Sequence, residues 1–248
     1  MSEVLIFGGT TEGRMLAEFC DIKKIPAAVS VTTEYGAGLL PQSEYIRELV
    51  GNLDTEKMVK LISSGDFSVV IDATHPFARN ASANIKNACA AVGMRCIRLL
   101  REPAEIRGKV FNSIQEIVEY LNKNSKRVLV TTGGNSVAAY TKVHDFAERL
   151  TVRLLPADGV AERCKSLGYL PQNLIFEKGP FTVEQNIEHI RRSGAEILVT
   201  KESGAAGGFP EKAEAAEYCS VQLVTLRRPA EEGYSLAQVE SYLETEFK

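Results

Sequence analysis

Gly8, Thr10 and Gly13 stand at i, i+2 and i+5 within VLIFGGTTEG (residues 4–13), the spacing at which a dinucleotide fingerprint carries three glycines. The outer glycines are present, the middle position is threonine, and Gly9 sits beside it. An apolar run leads into this loop and a stretch with helical spacing (Met15, Leu16, Phe19) leaves it. Such a junction aims unpaired N–H groups and the positive end of a helix dipole at one point, which suits a phosphate. Thr10 and Thr11 add hydroxyls, and either of them could instead simply cap the helix. Glu12 would repel a diphosphate if it faced inward, so it is expected to turn toward a ribose hydroxyl or toward Arg14.

Five more strand ends carry polar residues. VSVTTEYG offers Thr32 and Thr33 before Glu34, where hydroxyls suit a 2′-phosphate and a carboxylate suits a free ribose, leaving NADPH or NADH open. IDATHPFA (71–78) places Thr74 and His75 before a proline that fits the first turn of a helix. There His75 reads either as a turn residue or as an imidazole that contacts a ligand. VTTGGNS (130–136) brings Gly133 to a similar junction, and VTKESGAAGGF (199–209) ends a strand with Lys201 and then Ser203 ahead of three glycines. Lys201 reads either as a solvated loop lysine or as a cation presented to a ligand. In EKGPF (177–181), Pro180 is expected to open the next helix.

The segments that position these loops are short apolar runs at residues 4–7, 27–31, 68–73, 95–100, 127–132, 149–155, 173–179, 196–201 and 221–226. They are apolar throughout, as strands of a parallel sheet covered on both faces must be. Between them Met58, Leu61 and Ile62 follow an Asp54 cap, one helical face runs from Ala78 to Val92 and ends at Gly93, and Val183, Ile187 and Ile190 precede Gly194. The fold class is α/β. The polar stretch LLREPAEIRGK (99–109), with Pro103 and Gly108, reads as a crossover between two Rossmann-like domains with mainly parallel sheets, an N-terminal dinucleotide-binding domain over 1–100 and a second α/β domain over 101–248. Cofactor and substrate are expected in the cleft between them. The C-terminal YSLAQVESYLETEF reads as a closing helix assignable to neither half.

Composition narrows the choices further. With 29 Lys plus Arg against 32 Asp plus Glu, the net charge of −3 supplies no general field for nucleic acid or an anionic membrane. No apolar run reaches a bilayer's thickness and the start lacks a basic secretory leader, so a cytoplasmic protein is expected. The five cysteines lie far apart without zinc spacing, so no metal site is expected. H-E-x-x-H, G-x-S-x-G and the Walker pattern do not occur, and no tyrosine has a lysine four residues later. A hydride-transfer enzyme fits, because a nicotinamide carries such chemistry itself. The other readings are a reductase of some other small molecule and a dinucleotide-binding sensor without turnover.

VLIFGGTTEGRMLAE, VIDATHPFARNASANI, LVTTGG, KGPFT and LVTKESGAAGG, in this order, resemble the precorrin-6A and cobalt-precorrin-6A reductases of cobalamin biosynthesis over nearly the whole chain. That resemblance implies reduction of one double bond of a tetrapyrrole by NADPH or NADH, and transient contacts with other enzymes of the pathway. Carried over by motif, Gly8, Gly9, Thr10, Thr11, Glu12 and Arg14 would hold pyrophosphate and ribose. Thr32 and Thr33 would lie near the adenosine ribose, and Thr74 and His75 near the middle of the cofactor. Lys201, Ser203, Gly133 and Arg79 would face the substrate's carboxylates, with Lys201 and His75 as the catalytic candidates. The family pattern also has an arginine after the second strand and another after Thr-Thr-Gly, where this chain has glycines (Gly36 or its neighbours, and Gly134).

Overall fold

The computed structural model describes residues 2–102 and 104–247, so Pro103 of the crossover lies outside the described residues. Val4, Leu5 and Ile6 are each 0% exposed, which requires cover on both faces of their strand. The chain supplies it by alternating strand and helix: β1 (Glu3–Phe7), α1 (Thr11–Lys23), β2 (Ala27–Val31), α2 (Glu34–Ala37), β3 (Ile46–Val50), α3 (Thr55–Ser64), β4 (Phe67–Asp72), α4 (Arg79–Val92) and β5 (Cys96–Arg98). The sheet is parallel throughout, in the order β3-β2-β1-β4-β5. Val4 and Ile6 join one core with Leu16, Ala17 and Cys20 of α1, while Leu5 joins another with Met58, Ile62 and Ile85 of α3 and α4. That split is the period-2 alternation of a strand with two apolar faces.

The second unit contains β6 (Lys109–Phe111), α5 (Ile114–Leu121), β7 (Val128–Val130), α6 (Val137–Tyr140), α7 (Phe146–Arg149), β8 (Leu150–Leu154), α8 (Val160–Ser166), β9 (Leu174–Phe176), α9 (Val183–Ser193), β10 (Ile197–Lys201), α10 (Phe209–Tyr218) and β11 (Gln222–Leu226). Its sheet is also parallel, in the order β6-β11-β10-β7-β8-β9. The chain then returns to the first unit with α11 (Leu236–Glu246), so the units comprise residues 2–102 with 230–247, and 104–229.

The expected second domain of 101–248 is therefore corrected at its C-terminal end. Val239 and Leu243 are 1% and 0% exposed in the core that α1 and β1 share, and Tyr234 bridges Leu99 beside β5. Burying each such side chain contributes about 1.5–3 kcal/mol, enough to draw the tail back across the sequence.

Helix starts also differ from expectation. α4 begins at Arg79, because residues 75–78 close a turn in which Ala78 N–H donates to the His75 carbonyl at 2.7 Å, so Pro76 precedes the helix. α9 begins after Thr182, which forms a capping box with Gln185, so Pro180 does not open it. On α1 the buried face is Leu16, Ala17 and Cys20, with Met15 at 43% exposure. Among the described residues no helix is long and apolar enough to cross a membrane.

Candidate functional site

Each sheet reverses its winding between two adjacent strands, at β1/β4 in the first unit and at β7/β10 in the second. In open α/β sheets a ligand crevice forms outside the carboxyl ends of the strands at such a point. The loops that carry the candidate site residues leave these strands or, for Thr32 and Thr33, the neighbouring β2.

At the first switch point the glycines have separable roles. A Cβ on Gly13 would stand 3.1 Å from Gly8 Cα and 3.3 Å from the Ala73 Cβ, so Gly13 lets α1 pack closely on the strand ends. Gly9 has φ of +92° and open space around it, which suits a tight turn with exposed backbone. Thr10 replaces the central glycine without filling the cradle. Its hydroxyl accepts from Gly13 N–H at 3.1 Å and donates to the Ala73 carbonyl at 2.7 Å, tying the β1 loop to the β4 loop. Thr10 is thus the N-cap of α1, and the N–H groups of Thr11 and Glu12 have no intrahelical partner. These residues fit a dinucleotide diphosphate: backbone donors, a positive helix end and open space at Gly9.

Glu12 departs from expectation. Both its oxygens are held by Arg101, with Nε at 2.8 Å and Nη2 at 2.7 Å, while Arg14 pairs with Glu18 along the same helix at 3.4 Å. Thr33 accepts from Gly36 N–H and caps α2, Thr32 is exposed next to it, and Glu34 is the exposed first residue of α2. β2 runs beside β1, and Gly8 N–H donates to the Ser30 carbonyl at 2.8 Å, which brings this group alongside the glycine loop.

The β4 loop is organised by Asp72, a residue the sequence reading did not single out. Its Oδ1 accepts from Thr74 N–H at 3.0 Å and from the Thr74 hydroxyl at 2.6 Å, an Asx-type turn. Arg98 then donates to Asp72 Oδ1 and to the Thr74 carbonyl, both at 2.9 Å, and to Glu231 Oε2 at 3.1 Å. His75 is half-buried, and its Nδ1 accepts from Phe77 N–H at 3.2 Å, so the neutral ring carries its proton on Nε2. Arg79 is exposed at the start of α4.

The second switch point brings Gly133 and Lys201 together: a Cβ on Gly133 would stand 3.9 Å from Lys201 Nζ. Ser203 is 2% exposed and donates to the Gly207 carbonyl at 2.9 Å, the oxygen that also accepts from Lys212 Nζ at 3.0 Å. Burial, then repulsion from Arg153 and Lys201, lowers the Lys212 amine to about 7. Burial likewise lowers the Arg153 guanidinium to about 10. Neither Lys212 nor Arg153 was a sequence candidate: Arg153 is a single cation in an apolar run, and Lys212 stands among glutamates in PEKAEAAE as a solvated helix lysine would.

Two parallel, doubly wound sheets with glycine-bearing loops at their switch points define a Rossmann-like α/β protein of two units. The model of the precorrin-6x reductase CbiJ/CobK family matches residues 3–245. A cobalt-precorrin-6A reductase of Methanothermobacter thermautotrophicus is 31% identical over 231 residues, covering 91% of this chain and 76% of the relative. One from Salmonella typhimurium is 30% identical over 235 residues, covering 92% and 88%. The solved structure of CobK precorrin-6A reductase superposes with a TM-score of 0.77 at 25% identity, covering 99% of this chain and 97% of that one. The chain belongs to the precorrin-6x reductase CbiJ/CobK family.

Proposed function

We propose that this chain reduces cobalt-precorrin-6A with NADH, binding the dinucleotide at the β1/β4 switch point and the macrocycle's carboxylates at the β7/β10 switch point. Family membership supports the reaction, and the relatives at 31% and 30% identity carry the cobalt substrate in their names. The observation that carries the cofactor assignment is the close packing of Gly13 on Gly8 and Ala73 together with the open space at Gly9, at the N-terminus of α1. When bound, the nicotinamide supplies the hydride, and a proton completes saturation of the double bond.

The residues of the chain divide the remaining work. Gly8, Gly9 and the N–H groups of Thr11 and Glu12 hold the diphosphate; Thr10 fixes the loop that presents them. Thr32, Thr33 and Glu34 flank the adenosine ribose. The Thr33 hydroxyl already accepts a capping bond and no arginine or lysine occurs among residues 27–38, so Glu34 favours a free 2′-hydroxyl over a 2′-phosphate. Thr74 holds the shape of the β4 turn, and His75 offers its Nε2–H to the middle of the cofactor. Lys201, backed by Gly133 and Ser203, supplies a cation to a propionate or acetate, and Arg79 offers a separate cation on the first unit.

The test is anaerobic oxidation of NADH and NADPH with cobalt-precorrin-6A and with the metal-free macrocycle. Faster oxidation of NADH with the cobalt form is the expected result, and no oxidation in any of the four combinations would overturn the proposal. Glu34→Gln should shift the kcat/KM ratio toward NADPH by about 3–5-fold, the size of one exposed, screened charge contact. Lys201→Ala should lower kcat/KM for the macrocycle by about 10–100-fold, as expected for a lost hydrogen bond between charged groups. Its KM for NADH and its melting temperature should stay close to those of the parent, and an unchanged kcat/KM would return Lys201 to an ordinary loop lysine.

A further inference from the structure

Glu12 occupies the first turn of α1, where a carboxylate favours the helix through its dipole and disfavours any anion bound at the same end. The chain keeps this carboxylate in a loop whose glycine packing otherwise suits a diphosphate. Arg101, separated from it by 89 positions, grips both oxygens at 2.8 and 2.7 Å. The Arg101 and Glu12 side chains are 6% and 15% exposed, so water does little to screen either charge. Arginine is suited to this task because its planar fork matches a carboxylate at two points, which an ammonium group does not.

We propose that Arg101 is a positioning residue for the cofactor: by holding both oxygens of Glu12, it keeps the carboxylate turned from the dinucleotide's diphosphate and cancels its repulsion. The inference rests on the reading of the first unit given above. Arg101 follows β5, the strand beyond β4, so its position also couples the glycine loop to the sheet edge where the C-terminal segment returns. A pair that served packing alone would make every substitution in it harmful. A charge-cancelling pair makes loss of the cation harmful and loss of the anion harmless or favourable.

The experiment titrates the full chain with NADH, following the fluorescence of the reduced nicotinamide, for the parent, Arg101→Ala, Arg101→Lys, Glu12→Gln and the Glu12→Gln/Arg101→Ala double variant. Arg101→Ala should raise Kd about tenfold, on the scale of one uncompensated charge contact. Arg101→Lys should fall between it and the parent. Glu12→Gln should bind as tightly as the parent or more tightly, and the double variant should return to within about threefold of the parent, the signature of a pairwise term in a mutant cycle. Unchanged binding by Arg101→Ala would overturn the inference, and so would a double variant as weak as Arg101→Ala. If Arg101→Ala does not fold, Glu12→Gln decides alone: weaker NADH binding in that variant overturns the proposal. A parent chain that binds neither NADH nor NADPH removes the reading of the first unit, and this inference falls with it.

Discussion

Arg98→Met is expected to lower the stability of the chain by about 3–5 kcal/mol, the range for breaking a buried ion pair from one side. Arg98 has 13% side-chain exposure and serves two carboxylates, Asp72 at 5% and Glu231 at 22%. Methionine would preserve much of the volume but leave Asp72 Oδ1 with only the Thr74 donors, and the Thr74 carbonyl would lose its 2.9 Å partner. Because Glu231 lies in the returning C-terminal segment, the same substitution loosens the docking of α11 on the first unit. Chemical denaturation of parent and variant is the appropriate measurement. Glu231→Gln, which removes the more exposed partner and keeps a hydrogen-bonding group, should cost only about 1 kcal/mol. Equal losses for the two variants would mean that Asp72 does not depend on Arg98, and a loss below about 1 kcal/mol for Arg98→Met would mean the network adds nothing beyond packing.

The contrast between this network and the glycine loop explains what the sequence could reveal. β1, β2, β4, β8 and β10 were legible because strands covered on both faces are mostly apolar without strict alternation, even where Ser30 or Arg153 interrupts the run. β3 and β6 lie at sheet edges, and IRELV and KVF mix charge with apolar residues as edge strands do, so they do not form continuous apolar runs. The loops at both switch points were legible too, since a polar loop after a buried strand is a local pattern. Arg98, Arg101 and Lys212 were not. Each matters through a partner fixed by tertiary structure, such as Asp72, Glu12 or the Gly207 carbonyl, and no spacing in the chain encodes those pairings. The two misplaced helix starts have a related cause. Proline at N1 is a common option, but the turn that Ala78 N–H closes on the His75 carbonyl delays α4, and the Thr182–Gln185 capping box sets the start of α9.

Lys212 gives the second large effect, and its sign is opposite to that of Arg98. The amine is 7% exposed with one oxygen partner at 3.0 Å, and Arg153 and Lys201 repel it. Its affinity for a proton falls from the ordinary 10.5 to about 7 on folding, first through desolvation and then through those cations. Between these two values the unfolded chain holds a proton that the folded chain has released, so stability rises with pH across that window. Below the lower value both states are protonated and the full penalty of the buried charge applies. At about 1.36 kcal/mol for each pKa unit, that penalty is on the order of 3–5 kcal/mol. Lys212→Met should therefore stabilise the chain by about this amount at pH near 6 and by little at pH near 10, flattening the rise. The Gly207 carbonyl keeps its bond from Ser203, so the substitution leaves no buried acceptor without a partner. Denaturant unfolding of parent and variant at acidic, neutral and alkaline pH measures both quantities. A parent whose stability does not rise across the window would show that Lys212 keeps its ordinary proton affinity. A destabilised methionine variant at acidic pH would show that the bond to Gly207 outweighs the burial of the charge.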